Sequence, residues 1–455
     1  MKGLVLQMKA RMISSWLLSV TALLPLSPAA AQVRPAPQAM PQGMPMHPAV
    51  PPAAAPNAAQ QPPAAQPLPP PPPAPPLPPP VWDLRNASDL VAFIRQIGSE
   101  GLNPADYDAD GLAAAMATGD PIRISAEATD RFDRVSSDLA LGHVKRSARI
   151  DWHLTDADLD AAKQDALLRT AIAEHNVAGA LRGLLPTHPQ YAALKAALAT
   201  ATDPAQIKRI RLNMDRWRWL PRDLGPKYII VNVPGFHATL VENGVNRWKQ
   251  RAIAGKLSTP TPQLNATAVG VMLNPTWEVP KSIAHEAAGK KGFVAVTNKD
   301  GKFDHWRQLP GPNNALGQLK FVMYNQYNIY LHDTNARSRF NDDVRALSHG
   351  CVRTQHIVDL ATQLLGDDGG EWTPEKIQAQ LASGKTKQAN FVKPLPVYIV
   401  YFSSAALNDG RIVQYKDLYN RDAKAMQALL MKDGGASLTP PKVKPEPKAD
   451  QVATR

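Results

Sequence analysis

The sequence predicts an α+β chain, with a helical region followed by a mostly-β domain built on a mixed sheet or flattened barrel. Three observations predict it. Between Trp82 and about Leu220 apolar residues recur at helical spacing. From Lys227 the period falls to two and β-branched residues take over. Ahead of both, residues 32–80 hold 21 of the 44 prolines and no acidic residue, so they set the folding part apart.

In chain order, Lys2, Lys9 and Arg11 precede an apolar run from Met12 to Leu26, then Pro28 and Ala29-Ala30-Ala31-Gln32. A positive start, a short apolar middle and a small-residue end predict a signal peptide over 1–31, cut after Ala31. The run is short of the ~20 residues that span a bilayer. The mature chain is therefore expected in the periplasm, with no stable membrane insertion after cleavage. Residues 32–80 read as an extended, disordered Pro-rich linker.

Residues 81–225 are expected to form a helical domain. Ser88 and Asp89 cap a helix carrying Leu90, Val91, Phe93, Ile94 and Ile97, stopped by Gly98. Thr155 caps a second, with Leu159, Ala162, Ala166 and Leu167 on one face. Tyr191, Leu194, Ala197 and Leu198 mark a third. Residues 207–220 read as a basic amphipathic helix that docks through Leu212, Trp217 and Trp219, its arginines facing water.

Residues 226–432 are expected to form the β domain. Tyr228–Val233 is a strand, and Phe236–Glu242, Asn243-Gly244 and Val245–Ile253 make a hairpin with a suitable turn dipeptide. Strands follow at Ala268–Leu273, Lys320–Met323, Ile329–Leu331 and Pro396–Phe402, the last joined by Asp409-Gly410 to Arg411–Tyr415. One well-marked helix interrupts them, after Cys351. The Lys/Pro/Glu/Ala-rich tail, 433–455, is expected to be disordered.

The formal net charge of +12 implies an acidic partner or surface. No zinc-ligand spacing, RNA-recognition signature or Lys/Arg-rich block is present, which argues against nucleic acid, and no metal or other cofactor is called for. Cys351 is the sole cysteine among 455 residues. In an exported chain such a residue is either buried and silent or a free nucleophile. Two histidines lie near it: His332, with residues 333–347 between it and Ser348, and His349. Ile357, Leu360, Ala361, Leu364 and Leu365 predict a helix just past the thiol, whose positive end would favour thiolate. His332, at the end of a predicted strand, would take the thiol proton. Amides at Gly350 and Cys351 would form an oxyanion site.

The block His332, then Ser348-His349-Gly350-Cys351-Val352-Arg353, resembles the signature of the L,D-transpeptidase catalytic domain of the YkuD family. Asn274–Ile283, Arg307–Gly317, Lys320–Met323, Tyr330–Thr334, Leu395–Tyr401 and Asp417–Tyr419 look like blocks of its large periplasmic branch. Gly101–Tyr107 and Asp138–Val144 are similar to that branch's helical scaffold domain. The resemblance runs from about residue 83 to 431. It implies Cys351 as acyl-accepting nucleophile, His332 as general base, and His349 and Gly350 shaping the loop and oxyanion site. Arg353, Ser348, Tyr330 and Trp277 would contact substrate. The implied partners are peptidoglycan stem peptides, and other cell-wall or outer-membrane proteins where the acceptor differs. The implied reaction breaks the diaminopimelate–D-Ala bond of a stem tetrapeptide and makes a 3→3 cross-link, with carbapenem sensitivity.

The same thioester resolved by water would make an L,D-carboxypeptidase, and another acceptor would attach or release a protein. A non-catalytic wall-binding scaffold would predict a lost nucleophile or base, which the sequence retains. In papain-like proteases the Cys precedes the His, the reverse of the order here. Two departures from the family pattern stand out. There is no room for a peptidoglycan-binding module after Leu198, and the lid segment between Pro280 and Trp306 looks short.

Overall fold

The computed structural model describes residues 77–154, 158–407 and 409–438. The expected signal peptide, the linker up to residue 76, Thr155 and the tail from residue 439 lie outside these residues. Helices α1 (Leu84–Gln96), α2 (Ala109–Ala117), α3 (Pro121–Leu141), α4 (Ala161–Ala173), α5 (Val177–Arg182), α6 (Pro189–Thr200) and α7 (Pro204–Trp217) form the first part. The expected apolar face of α1 is buried, but its cap is Asp83, whose carboxylate accepts from the Asn86 amide at 2.7 Å. The helix starts a turn earlier than Ser88 suggests. Asp160 likewise caps α4, and the buried face is Leu168 and Ala171, while Ala162 and Ala166 face water.

Strands β1 (Lys227–Asn232), β2 (His237–Glu242), β3 (Val245–Gly255) and β4 (Leu264–Leu273) open the second part. A separate three-stranded sheet follows, of β5 (Trp277–Glu278), β6 (Phe293–Thr297) and β7 (Phe303–Gln308). Then come β8 (Leu319–Met323), β9 (Leu331–His332), β10 (Ala346–Ser348), β11 (Val352–Thr354), α8 (Ile357–Asp367), α9 (Pro374–Ala382), β12 (Lys387–Val400), β13 (Ser404–Ala406), β14 (Ile412–Gln414) and α10 (Asp422–Leu429). The main sheet runs β3-β11-β9-β8-β4-β12-β1-β2 and closes through the β2–β3 hairpin, with β10 beside β3. It is a closed, mixed sheet, as the flattened-barrel expectation has it. Asn243 and Gly244 both take positive φ in the hairpin turn, as its twist requires.

Alternation along β1 and β12 builds two cores at once. Ile229, Val231, Val397 and Ile399 point into the barrel. Tyr228, Tyr398 and Val400 point outward onto Leu212, Trp217, Ala425 and Leu429 of α7 and α10. Helices α9 and α10 are additions to the single helix expected. The strand paired with Ile412–Gln414 is Ser404–Ala406, separate from β12. The start of the expected disordered tail is packed instead: the Lys145 amide donates to Gly434 O at 2.8 Å, and Leu438 lies against the α7 core.

The arginines of the α7 region do not all face water. Arg216 pairs with Asp422 at 2.8 Å, and Arg218 donates to Tyr191 Oη at 2.6 Å; both are buried. Hydrophobic docking brings their stems inside, so each needs a buried partner. Asp215 organises this layer. Fully buried, it accepts from the His143 amide at 2.8 Å, the Val144 amide at 3.1 Å and Trp219 Nε1 at 2.8 Å. Asp215→Ala strands all three donors and Arg218, and should cost about 3–5 kcal/mol. Urea denaturation followed by tryptophan fluorescence measures this; an unchanged midpoint would contradict the role.

Candidate active site

The closed sheet places β9 between β8 and β11. Lys320 of β8 opposes His332, and Arg353 of β11 opposes His332 from the other side. Phe321, Leu331 and Val352 enter the barrel core, so the alternate side chains Lys320, His332 and Arg353 emerge together on the other face. Tyr330 and Cys351 sit one pleat further on, just ahead of β9 and β11, joined by the Val352 amide donating to Tyr330 O at 3.0 Å. Thiol, imidazole, phenol and two cations thus meet on three neighbouring strands. No hydrogen bond joins thiol to imidazole among the described residues. The thiol donates to Asn328 O at 3.5 Å, and His332 Nδ1 is buried without a partner.

The turn before Cys351 is held by its own polar atoms. Ser348 Oγ donates to Cys351 O at 2.5 Å and accepts from the Gly350 amide at 3.1 Å. Thr261 Oγ1 donates to Gly350 O at 2.7 Å. Gly350 has φ +122°, a conformation that favours glycine, and a Cβ there would also press on the end of the Ile329 side chain at 3.2 Å. Ser348 is buried with its hydroxyl occupied by the turn, which places it as a staple of the loop. The Gly350 amide, one of the two expected oxyanion donors, is likewise occupied by the turn.

Cys351 does not stand at a helix N-terminus. Strand β11 intervenes and α8 begins only at Ile357, behind His356 with φ 53°. The apolar spacing predicts α8 correctly, but pairing with β9 and β3 draws Val352–Thr354 into the sheet first. Without the dipole, burial pushes the thiol up to about 11, although Tyr330, Lys320 and Arg353 favour the thiolate. Burial likewise lowers His332 to about 3, helped by Arg353 and Lys320. The Tyr330 phenol is raised well above its usual value, by burial first and then by the neighbouring thiol.

The β5–β7 sheet caps this face. It has its own small core of Val279, Ile283 and Ala287, against which Trp277, Phe293 and Trp306 pack. The Pro280–Trp306 segment, short by sequence, is thus a folded unit. Trp277 comes within hydrogen-bonding range of the Tyr330 phenol. His349 does not face the thiol; its Nε2 meets Glu286 Oε1 at 3.0 Å and Lys256 Nζ at 3.2 Å, tying the loop to the cap. From the helical part, His153 Nδ1 meets Tyr327 Oη at 2.7 Å with the rings 4.2 Å apart, next to the Asn328 carbonyl that receives the thiol.

The structure therefore brings together Cys351, His332, Arg353, Tyr330 and Trp277, and places His349, Ser348 and Gly350 in the supporting loop. Lys320, Asn328 and Glu286 are additions. Lys320 carries no local signal, since it reaches the site only through the β8–β9 register. Asn328, with φ 52° in a polar turn between strands, is of a type that tolerates that conformation. Among the described residues no group of three His, Cys, Asp or Glu side chains is placed to hold a metal.

Comparison with known proteins gives two family matches. Residues 226–399 match the L,D-transpeptidase catalytic domain, YkuD, and residues 79–198 match the Scaffold domain. A putative L,D-transpeptidase of Haemophilus influenzae is 29% identical over 250 residues, which is 50% of this chain and 50% of that protein. The chain thus spans about half the length of that curated relative. A solved Enterococcus faecium L,D-transpeptidase, a Cys-to-Ser mutant, is 13% identical with TM-score 0.23, covering 39% of this chain and 50% of its own. The Mycobacterium smegmatis L,D-transpeptidase is 13% identical with TM-score 0.21, covering 38% and 58%. Superpositions that loose transfer no geometry.

Between about pH 3 and about pH 11 the free protein holds both thiol and imidazole neutral. Iodoacetamide labelling of Cys351 should therefore rise tenfold per pH unit from about pH 6 to about pH 10, following the thiolate fraction. A plateau reached by about pH 7 would reveal a thiolate–imidazolium pair and contradict this.

Proposed function

Because the chain carries a YkuD-type L,D-transpeptidase catalytic domain behind a Scaffold domain, we propose that it cross-links peptidoglycan stem peptides through Cys351. The thiol proton passes to His332 as Sγ attacks the carbonyl between diaminopimelate and D-Ala of a stem tetrapeptide. The C–N bond breaks, the imidazolium returns its proton to the departing D-Ala amine, and a thioester remains. An amine of a second stem then attacks, the C–S bond breaks, and a 3→3 link forms with the thiol restored. The Cys351 amide faces the oxyanion, while Trp277 and Tyr330 wall the donor side.

One observation carries the reading. The only cysteine of the chain directly precedes β11, and His332 ends β9, the parallel neighbour of β11, inside the matched domain. The resting protonation states support it too, because a neutral thiol and a neutral imidazole are what a general-base step starts from. The signal-like N-terminus and the +12 charge support a periplasmic address and an anionic wall polymer. A carbapenem would acylate the same thiol.

The mature protein with a disaccharide-tetrapeptide, followed by mass spectrometry, tests this. Cross-linked dimer lacking one D-Ala is expected, absent for Cys351→Ala and lowered about 10²–10⁴-fold for His332→Gln. Tripeptide alone would make it a carboxypeptidase, and a product persisting in Cys351→Ala would end the proposal.

A further inference from the structure

Lys320 and Arg353 flank His332 in register, one from each neighbouring strand. Lys320 Nζ lies 5.0 Å over the Tyr330 ring. Both cations bear on the Cys351 thiol. Among the described residues neither has an ion-pair partner. Glu278, the carboxylate that bears on Lys320, is held by Arg307 at 2.6 Å and meets His305 at 2.5 Å. The charged group that bears on Arg353 besides the thiol is Arg339, itself a cation, paired with Asp342 at 3.0 Å. Arg353 Nε is buried with no acceptor. Half-buried cations ordinarily sit beside an anion, because desolvation without compensation is costly. Two of them, converging from opposite strands on a face otherwise lined by Tyr330, His332 and Cys351, leave a place for a negative group.

We propose that Lys320 and Arg353 frame an anion subsite beside Cys351, and that it receives a carboxylate of the acyl donor. The donor's identity rests on the transpeptidase reading; the subsite does not. A docked carboxylate offsets the positive charge on both sides of His332 and so favours the protonated imidazole that the attack creates. Donor binding and activation of the base are thereby one event. The competing role for the two cations is to stabilise the Cys351 thiolate alone. That role would alter reactivity towards charged and uncharged electrophiles equally, whereas an anion subsite separates them.

The test compares alkylation of Cys351 by iodoacetate and by iodoacetamide in the full mature protein. Lys320→Met and Arg353→Met should each lower the iodoacetate-to-iodoacetamide rate ratio by roughly tenfold, the scale of one charge–charge interaction at a partly buried site. Lys320→Arg should keep the ratio. Acetate, but not acetamide, should protect the unaltered protein against iodoacetamide, a measurement independent of any variant's folding. A ratio that stays constant while both rates fall, with no protection by acetate, overturns the subsite. Tetrapeptide donors amidated at the C-terminal or at the diaminopimelate carboxylate identify the bound group: the one whose loss raises KM in the unaltered protein, but not in Lys320→Met. Absence of turnover with every donor counts against the transpeptidase reading, and the alkylation ratio still decides the subsite.

Discussion

The site depends on β11 lying parallel to β9, with Val352 opposite Leu331 and Arg353 opposite His332. Parallel neighbours cannot be joined by a tight turn, so the chain must leave β9 and return the same way round. Residues 333–351 are that return path. They are fixed at both ends: Asp333 takes Arg337 at 2.7 Å and the Gln318 amide at 2.9 Å, and Arg345 donates to Phe236 O and Ala252 O at 3.2 Å. The fifteen residues between His332 and Ser348 therefore measure a crossover, which is why the two segments keep company although neither is local to the other.

At the thiol, two effects oppose each other and burial wins. Lys320 and Arg353 favour the thiolate, as does hydrogen bonding from Tyr330, yet the thiol is pushed up because the cap and barrel remove its water. At His332 the same cations act with burial, both disfavouring the charged ring. The free protein thus keeps its reactive pair neutral. A neutral thiol is also less open to oxidation than a thiolate.

The helical part takes a direct hand in the geometry. Arg421, buried between the Tyr401 and Tyr419 rings, reaches Asp151 at 2.6 Å and Thr261 O at 3.1 Å. Thr261 in turn holds Gly350 O. Gln263 exchanges backbone bonds with Asp151 and His153, and His153 meets Tyr327 beside the Asn328 turn. Both walls of the thiol are therefore braced from the segment that follows α3. This gives a physical reason for the two matched domains to form one packed body.

Period-two alternation, the Asn243-Gly244 turn and the apolar face of α8 made the β domain and that one helix legible from residue order alone. Residue types and spacing also marked Cys351 and His332 as a candidate pair, since both are local facts. What the chain order could not disclose is pairing. Lys320 becomes a neighbour of His332 only through the β8–β9 register, and Val352–Thr354 becomes a strand only because β9 and β3 offer hydrogen-bond partners. Burial, too, is collective: Arg216 and Arg218 look like a solvated face until α10 and α6 close over them. Sequence determined which groups the site has and which stretches carry them. The tertiary structure decided which cations face the thiol and how far water is excluded, because both depend on strands that meet only after the sheet closes.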